Sequence, residues 1–351
     1  MKFSKFVLHT WTAVYYYNNR YVLWLKRKVR RWSDWLLLLT LPYVAVRFVL
    51  LKALEPLCSL GVSRRRAREA GRTFRHEIAI VAIARNEGPY LREWIEYHRL
   101  VGIRKIYFYD NESEDDTRAI LAPYVDAGVV DYFRIEGRGR QLDAYNDALR
   151  RFKDECRYLA FIDLDEYLMP AVPFRPIADV VTEALAAYGR GAAGVGVNWA
   201  VYGSSGYEKR PKGLVTATFL RRGSKEHYAN AHIKTIVNPR EVATYISPHY
   251  PLYRLGAYSV NETGESRLYV WFSDSPGKYE RIRVNHYHTK SKEQYVCEKA
   301  RRGLGDREGD YDMSHFHRYD LNDVEDRSMT AYAPALRERL GEGGSTDPGA
   351  Q

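Results

Sequence analysis

The sequence predicts an α/β chain built on a mostly parallel sheet with helices on both faces. Two observations carry that expectation. From His76 onward short apolar runs alternate with amphipathic stretches of helical length, and three of those runs end in polar clusters. A third observation, a basic and apolar start, sets residues 1–75 apart from the remainder of the chain.

At 351 residues, with 45% hydrophobic and 14% aromatic content, the chain can bury a large core and form one or two domains. Its net charge is +10, but residues 1–75 hold sixteen Lys or Arg against Asp34, Glu55 and Glu69, which leaves the remainder slightly acidic. Cys58, Cys156 and Cys297 are widely separated and lack metal-ligand spacing, which argues against a disulfide framework or a zinc site and fits a reducing compartment.

The first element is the apolar run from Trp35 to Leu51, interrupted by Pro42 and Arg47. A spanning helix needs about 20 apolar residues, so the run is marginal for that role. Lys26, Arg27, Lys28, Arg30 and Arg31 precede it and Arg64, Arg65, Arg66 and Arg68 follow, with Trp24, Trp32 and Trp35 at its boundary. That pattern predicts an interfacial anchor on an anionic leaflet. A true span and a helix packed on the next domain stay open as alternatives. The run begins too late for a cleavable signal peptide. Nothing downstream resembles a nucleic-acid-binding module, so nucleic acid is not an expected partner. The basic stretch SRRRAREAGR reads as a linker, closing a membrane-association segment over residues 1–75.

Next come EIAIVAIA (77–84) as a buried strand and residues 89–102 as a helix with Leu91, Trp94, Ile95 and His98 on one side. KIYFYD (105–110) is a second strand, followed by a helix from Glu114 to Val125 with Ser113 as N-cap. A third strand (129–135), a third helix (141–152) and a fourth strand (157–165) complete a nucleotide-binding half over 76–190. In the acceptor half, 191–335, strands are expected at 194–201, 214–221, 233–238 and 281–286, with a helix at 291–303. A disordered tail is expected over 336–351.

Ligands of such sheets bind beyond the carboxyl ends of the strands. There the first strand ends in Ala84-Arg85-Asn86-Glu87, the second in Asp110-Asn111-Glu112-Ser113 and the fourth in Asp163-Leu164-Asp165-Glu166. Two carboxylates after a buried strand suit a hard divalent ion, which takes oxygen ligands from one or two carboxylates and from substrate phosphates. Asp-x-Asp alone is weak, since Asp310-Tyr311-Asp312 repeats it; its place after a buried strand makes the first copy specific. The alternative is a solvated turn with capping carboxylates. Asp110 to Thr117 reads either as a carboxylate for a nucleoside or as a turn before a helix. In Val284-Asn285-His286-Tyr287-His288 two histidines share one face of a strand, and one of them could complete a metal's coordination.

Six ordered segments, IARNEGPYLREWIEYHRLVGI, FYDNESEDDT, FIDLDEYLMP, NWAVYGSSGY, KTIVNP and NHYHTKSKEQY, resemble glycosyltransferase family 92, related to family 2 glycosyltransferases. The resemblance spans about residues 78–305. It implies a GT-A fold, a nucleotide-sugar donor (UDP-galactose in better-known members), manganese or magnesium, and inversion at the anomeric carbon. Carried over by position, Asp163, Asp165 and His286 would hold the metal. Arg85, Asn86, Glu87, Asp110, Asn111, Gln141, Asp143, Asp163 and Leu164 would line the donor pocket. Trp199, Gly203, Ser204, Ser205 and His249 would form the acceptor side, although a tight turn with a core tryptophan is the plainer account. Tyr207 and Tyr202 depart from the family's usual histidine and phenylalanine, which puts acceptor choice in doubt.

Glu208 is the expected catalytic base, with Glu226 as the other carboxylate of that half. The expected acceptor is a glycan or lipid-linked saccharide at a membrane surface, and the expected location is the cytoplasmic face of a bacterial membrane. A nucleotidyltransferase and a catalytically dead scaffold are the competing readings. The first lacks a Gly-rich phosphate loop, since 80–89 holds only Gly88, and the second does not explain why Asp163, Asp165 and His286 are retained.

Overall fold

The computed structural model describes residues 41–268, 272–273, 277–300 and 311–342. Its first half alternates α1 (Leu41–Glu69), β1 (His76–Ala84), α2 (Gly88–Leu100), β2 (Ile106–Asp110), α3 (Thr117–Asp126), β3 (Val130–Arg134), α4 (Gln141–Phe152) and β4 (Cys156–Phe161). Next come β5 (Glu166–Pro170), α5 (Ile177–Ala187), β6 (Ala192–Val201), a short helix α6 (Val215–Thr218) and β7 (Arg221–Arg222). The later strands are β8 (Ile233–Val237), β9 (Val242–Tyr245), β10 (Pro251–Tyr253), β11 (Tyr258–Asn261), β12 (Arg267–Leu268) and β13 (Ile282–His286).

The main sheet runs β12-β11-β6-β8-β4-β1-β2-β3, with β13 beside β6 and β5 beside β13. β1, β2, β3 and β4 are parallel. β8 lies antiparallel between β4 and β6, so β6, and β13 parallel to it, point the same way as β4. The carboxyl ends of β1, β2, β4 and β13 therefore face one edge, as the expected GT-A arrangement requires.

Local sequence explains the first half. Ile78 to Ala82 are buried without alternation, as in a parallel strand covered on both faces. α2 opens with Pro89 in its first turn, where a missing N–H costs nothing, and buries Leu91, Trp94, Ile95 and His98. Its aromatic side chains clamp β5: Trp94 Nε1 donates to the Glu166 carbonyl at 2.8 Å and Tyr97 OH to the Leu168 carbonyl at 3.0 Å.

Several expectations are corrected. The second helix begins at Thr117 behind Asp116, and Ser113 instead accepts from the Asn86 N–H at 2.9 Å. The strand expected at 214–221 is α6 followed by the two residues of β7. The cause is Glu93 of α2, whose buried carboxylate accepts from the Val215 and Thr216 N–H groups at 2.7 and 2.9 Å. β4 stops at Phe161, because the Glu166 N–H turns back to the Asp163 carbonyl at 3.1 Å before β5 begins. The segment after Ser291 is helical over Lys292–Gln294 and π-helical over Tyr295–Lys299, and 301–310 lie outside the described residues. The helix Ala333–Leu340 crosses the expected tail boundary and buries Leu336 completely; 343–351 lie outside the described residues.

Residues 1–40, with the first basic cluster and the tryptophans, also lie outside the described residues. The stretch expected as a linker is the end of α1, and it is docked on the sheet domain. Val62 is buried, Ser59 Oγ donates to the Gly256 carbonyl at 2.7 Å, and Arg65 pairs with Glu241 at 2.7 Å. Gly256, at φ +91°, is required there, since a Cβ would meet the Cys58 backbone at 2.4 Å. The opposite face of α1 exposes Tyr43, Val46, Leu50, Leu54 and Leu57. Among the described residues no helix is long and apolar enough to cross a membrane.

Candidate functional site

The turn after β4 and the end of β13 meet at the carboxyl edge. In register, His286 lies opposite Glu166, and the Tyr287 N–H donates to the Asp165 carbonyl at 2.8 Å. Antiparallel pairing explains the meeting: β5 starts where β13 ends, so the turn before β5 and the last residues of β13 share one edge.

Asp165 is the centre of the site. It is 7% exposed, with His286 Nε2 at 3.4 Å from one oxygen and Lys299 Nζ at 2.6 Å from the other. Burial alone would raise its carboxyl, but the Lys299 ammonium and the His286 ring outweigh burial and hold it well below the usual carboxylate range. Burial depresses His286, against the pull of Asp165, and His288, the latter further through Lys299, which favours the neutral form of each ring. His288 Nδ1 lies 3.4 Å from His286 Nε2.

Asp165, His286 and His288 offer one ligand atom each, all within 4.8 Å of one another. A carboxylate and two neutral imidazoles make a donor set that transition-metal ions accept. The facing atoms fit a metal in a second respect: His286 Nε2 lies 3.4 Å from Asp165 Oδ1 and 3.4 Å from His288 Nδ1, a spacing that ligands of one ion can take.

Asp163 is placed differently from the expectation that it shares the metal. Its carboxylate accepts from Gln141 Nε2 at 2.7 Å and from Lys234 Nζ at 2.8 Å, and it is not in the group around Asp165. Lys234 is fully buried; burial opposes its charge, and Asp163 and Glu166 more than restore it, raising the ammonium well above its usual value. Glu166, with no exposed surface, is pushed up to about 8 by burial, against the pull of Lys234 and with the push of Asp163 and Asp165.

The remaining residues expected on the donor side form an interlocked rim. The Asn86 side chain accepts from the Glu114 N–H at 2.8 Å, and Asn86 itself has a left-handed φ of 53°. Asp110 accepts from the Ser113 N–H at 2.9 Å and from Tyr132 OH at 2.5 Å, and Asn111 donates to the Gly137 carbonyl at 2.8 Å. Arg85 reaches Glu114 at 3.4 Å, and the exposed Asp143 pairs with Arg140 at 3.1 Å. Glu87 is buried behind Asn86, and Leu164 is core.

Of the residues expected on the acceptor side, Trp199 is 7% exposed among the rings of His232, His249 and His286, with centroids 5.0, 5.1 and 4.3 Å away. The Gly203 to Ser205 turn is docked on residues 320–322: Ser204 and Ser205 N–H groups donate to Asp320 and Asn322 at 2.6 and 2.8 Å. A Cβ on Gly203 would meet the Leu321 carbonyl at 2.5 Å. This is the tight turn with a core tryptophan, and it offers no open aromatic platform. Glu208 is exposed and pairs with Lys292 at 3.1 Å.

Sequence reasoning missed Lys234 and Lys299 as members of the site, gave Glu166 no role beyond the cluster ending the fourth strand, and named His288 only as the alternative to His286. Glu166 directly follows the aspartate pair, and its burial was the missing signal. Lys234 opens the KTIVNP segment, and Lys299 lies outside all six segments that carry the resemblance.

Residues 83–297 match glycosyltransferase family 92. A family 92 glycosyltransferase of Ricinus communis is 32% identical over 97 residues, covering 26% of this chain and 17% of that protein. One of Oryza sativa subsp. japonica is 30% identical over 95 residues, covering 26% and 16%. The matched stretch thus spans about a sixth of these relatives.

Among solved structures, S. aureus TarS 1–349 is 11% identical with a TM-score of 0.32, covering 76% of this chain and 72% of that one. Glucosyl-3-phosphoglycerate synthase from Mycobacterium tuberculosis, in complex with Mn2+, UDP and glucosyl-3-phosphoglycerate, is 22% identical with a TM-score of 0.25, covering 38% and 46%. Likeness at that level assigns no residue. The family match, by contrast, takes in more than half of the sequence, and the chain belongs to glycosyltransferase family 92.

Proposed function

We propose that this chain transfers a hexose, galactose from UDP-galactose, with inversion and with a divalent ion, manganese or magnesium, held by Asp165, His286 and His288. The observation that carries this reading is the convergence of those three side chains at the edge of the β1–β4 sheet, beside Asp163. When bound, the ion would neutralise charge on the departing nucleotide diphosphate.

The chain's own residues do the rest. Arg85, Asn86, Asp110 and Asn111 form the donor rim over 76–190, and the Gln141–Asp163–Lys234 contact keeps one carboxylate turned toward it. In the acceptor half an acceptor hydroxyl forms the new bond to the anomeric carbon as the bond to the diphosphate oxygen breaks, and its proton passes to a base. Glu208, the carboxylate expected there, is exposed and paired with Lys292, and the base is not assigned to it.

The acceptor we infer is a glycan or lipid-linked saccharide at the cytoplasmic face of a membrane. Support comes from α1, whose outward side carries Tyr43, Val46, Leu50, Leu54 and Leu57 between Arg47, Lys52 and Arg64 while its other side is docked. Co-sedimentation with anionic vesicles that is lost in Leu50→Glu/Leu54→Glu is the expected result; binding unchanged by those charges would remove α1 from the membrane contact.

The function itself is tested by incubating the chain with manganese and a panel of UDP-, GDP- and CMP-sugars, and following nucleotide release. Release from one donor, lost in Asp165→Asn, supports the reading and names the sugar. Neither release nor calorimetric binding of any donor would make the non-catalytic scaffold the better account.

A further inference from the structure

The Asp165 pocket already contains a cation, and the chain supplies it. Lys299 Nζ lies 2.6 Å from Asp165 Oδ2, 2.9 Å from His288 Nδ1 and 2.9 Å from the His288 carbonyl oxygen. The residue is 7% exposed. Burying an ammonium is costly unless its neighbours accept its protons, and these three do: a carboxylate, a ring lone pair and a carbonyl.

Two of the three partners belong to the group that could hold a metal. A divalent ion sits about 2.0–2.2 Å from oxygen and nitrogen ligands. An ion bound to Asp165 and His288 would therefore claim the space the ammonium fills, with a like charge pressed against it. The contact has a second effect. A lysine that donates to His288 Nδ1 requires the lone pair on that nitrogen and the proton on Nε2, which is the tautomer that presents Nδ1 to the pocket.

We propose that Lys299 is a resident counter-cation: it holds Asp165 and His288 in ligand geometry while no ion is bound, and entry of a divalent ion expels its ammonium. The inference rests on the metal reading of this site. The local backbone suits such a residue. Lys299 is the last residue of the π-helical turn Tyr295–Lys299, a wide turn often found at functional sites, and a Ser291–Gln294 capping box anchors the segment at its start. The side chain's own torsions can carry the ammonium out while that anchor stays in place.

The test is Mn2+ binding to the full chain by calorimetry for wild type, Lys299→Met, Lys299→Arg and Asp165→Asn. Removing the competing cation should tighten Mn2+ binding roughly tenfold or more in Lys299→Met, whereas Lys299→Arg should stay near wild type. Without metal, Lys299→Met should melt below wild type and should gain more in melting temperature on Mn2+ addition. Wild-type binding that depends on Asp165 but is equal or weaker in Lys299→Met overturns the counter-cation and leaves the metal site standing. No Mn2+ binding in wild type or Lys299→Met overturns both. The unmutated chain gives an independent reading: Lys299 should react slowly with an amine-modifying reagent without Mn2+ and faster with it, and equal rates would also overturn the proposal.

Discussion

Two parts of the carboxyl edge are built differently: the loops after β1 and β2 by polar side chains that tie neighbouring loops together, and the region around β6 and β13 by ring packing and buried charge. After β1 and β2, loops are tied to one another by bonds between neighbouring strand ends, such as Asn86 with Ser113 and Glu114, and Asp110 with Ser113 and Tyr132. Around β6 and β13, the site is assembled from His232, His249, His286, His288 and Lys299, which belong to separate segments and are held by burial and ring packing. The contrast indicates where each kind of substitution should act. On the first side a change alters placement of a rim; on the second it removes chemistry.

Asp165→Asn should act most strongly. It should lower donor-dependent nucleotide release by about a thousandfold, the scale of losing a main electrostatic element of a site, whereas Asp110→Asn should lower it about tenfold. Equal losses in initial-rate measurements would break the contrast and mean that both sides carry chemistry.

The second prediction is structural. Trp94 of α2 is fully buried and donates to the Glu166 carbonyl, so it supports the aspartate turn from behind. Trp94→Ala should cost about 3–5 kcal/mol in denaturant unfolding, and Trp94→Phe, which keeps most of the volume but orphans that carbonyl, about 1–2 kcal/mol.

The third concerns pH. His98 is buried in α2, and burial pushes it down to about 3. The unfolded chain takes up a proton on this residue as pH falls through about 6.5, while the folded chain does not until about 3. The folded state is therefore fully favoured above that range and loses up to about 1.4 kcal/mol per pH unit within it. His98→Gln should flatten the acid limb of a stability–pH curve relative to wild type; superimposable slopes would show that His98 does not titrate in this way.

Glu208 should matter least. Exposed and paired only with Lys292 among the described residues, it should tolerate Glu208→Ala with turnover within about threefold. A drop of a hundredfold or more would identify it as the base and make the acceptor side larger than the histidine cluster.

Much of the donor half was legible because it is periodic. EIAIVAIA, KIYFYD and RYLAFID announce strands by continuous apolar character, and the helices between them by one-sided burial. The acceptor half was less legible because its elements depend on distant partners. α6 exists where a strand was expected because Glu93 caps it, and the basic stretch after Ser63 is helical because it docks beside Glu241 and Ala192.

Local pattern was enough to place the parallel strands along the chain and to set the family and the delivery of Asp163 and Asp165 to an edge. How those two carboxylates differ was settled by tertiary contacts alone. Lys234 reaches Asp163 from 71 positions away, and Lys299 reaches Asp165 from 134. A lysine looks the same in a sequence whether it is solvated or enclosed. Charge pairing depends on distance through space and on exclusion of water, and both arise only when the whole sheet has closed around the site.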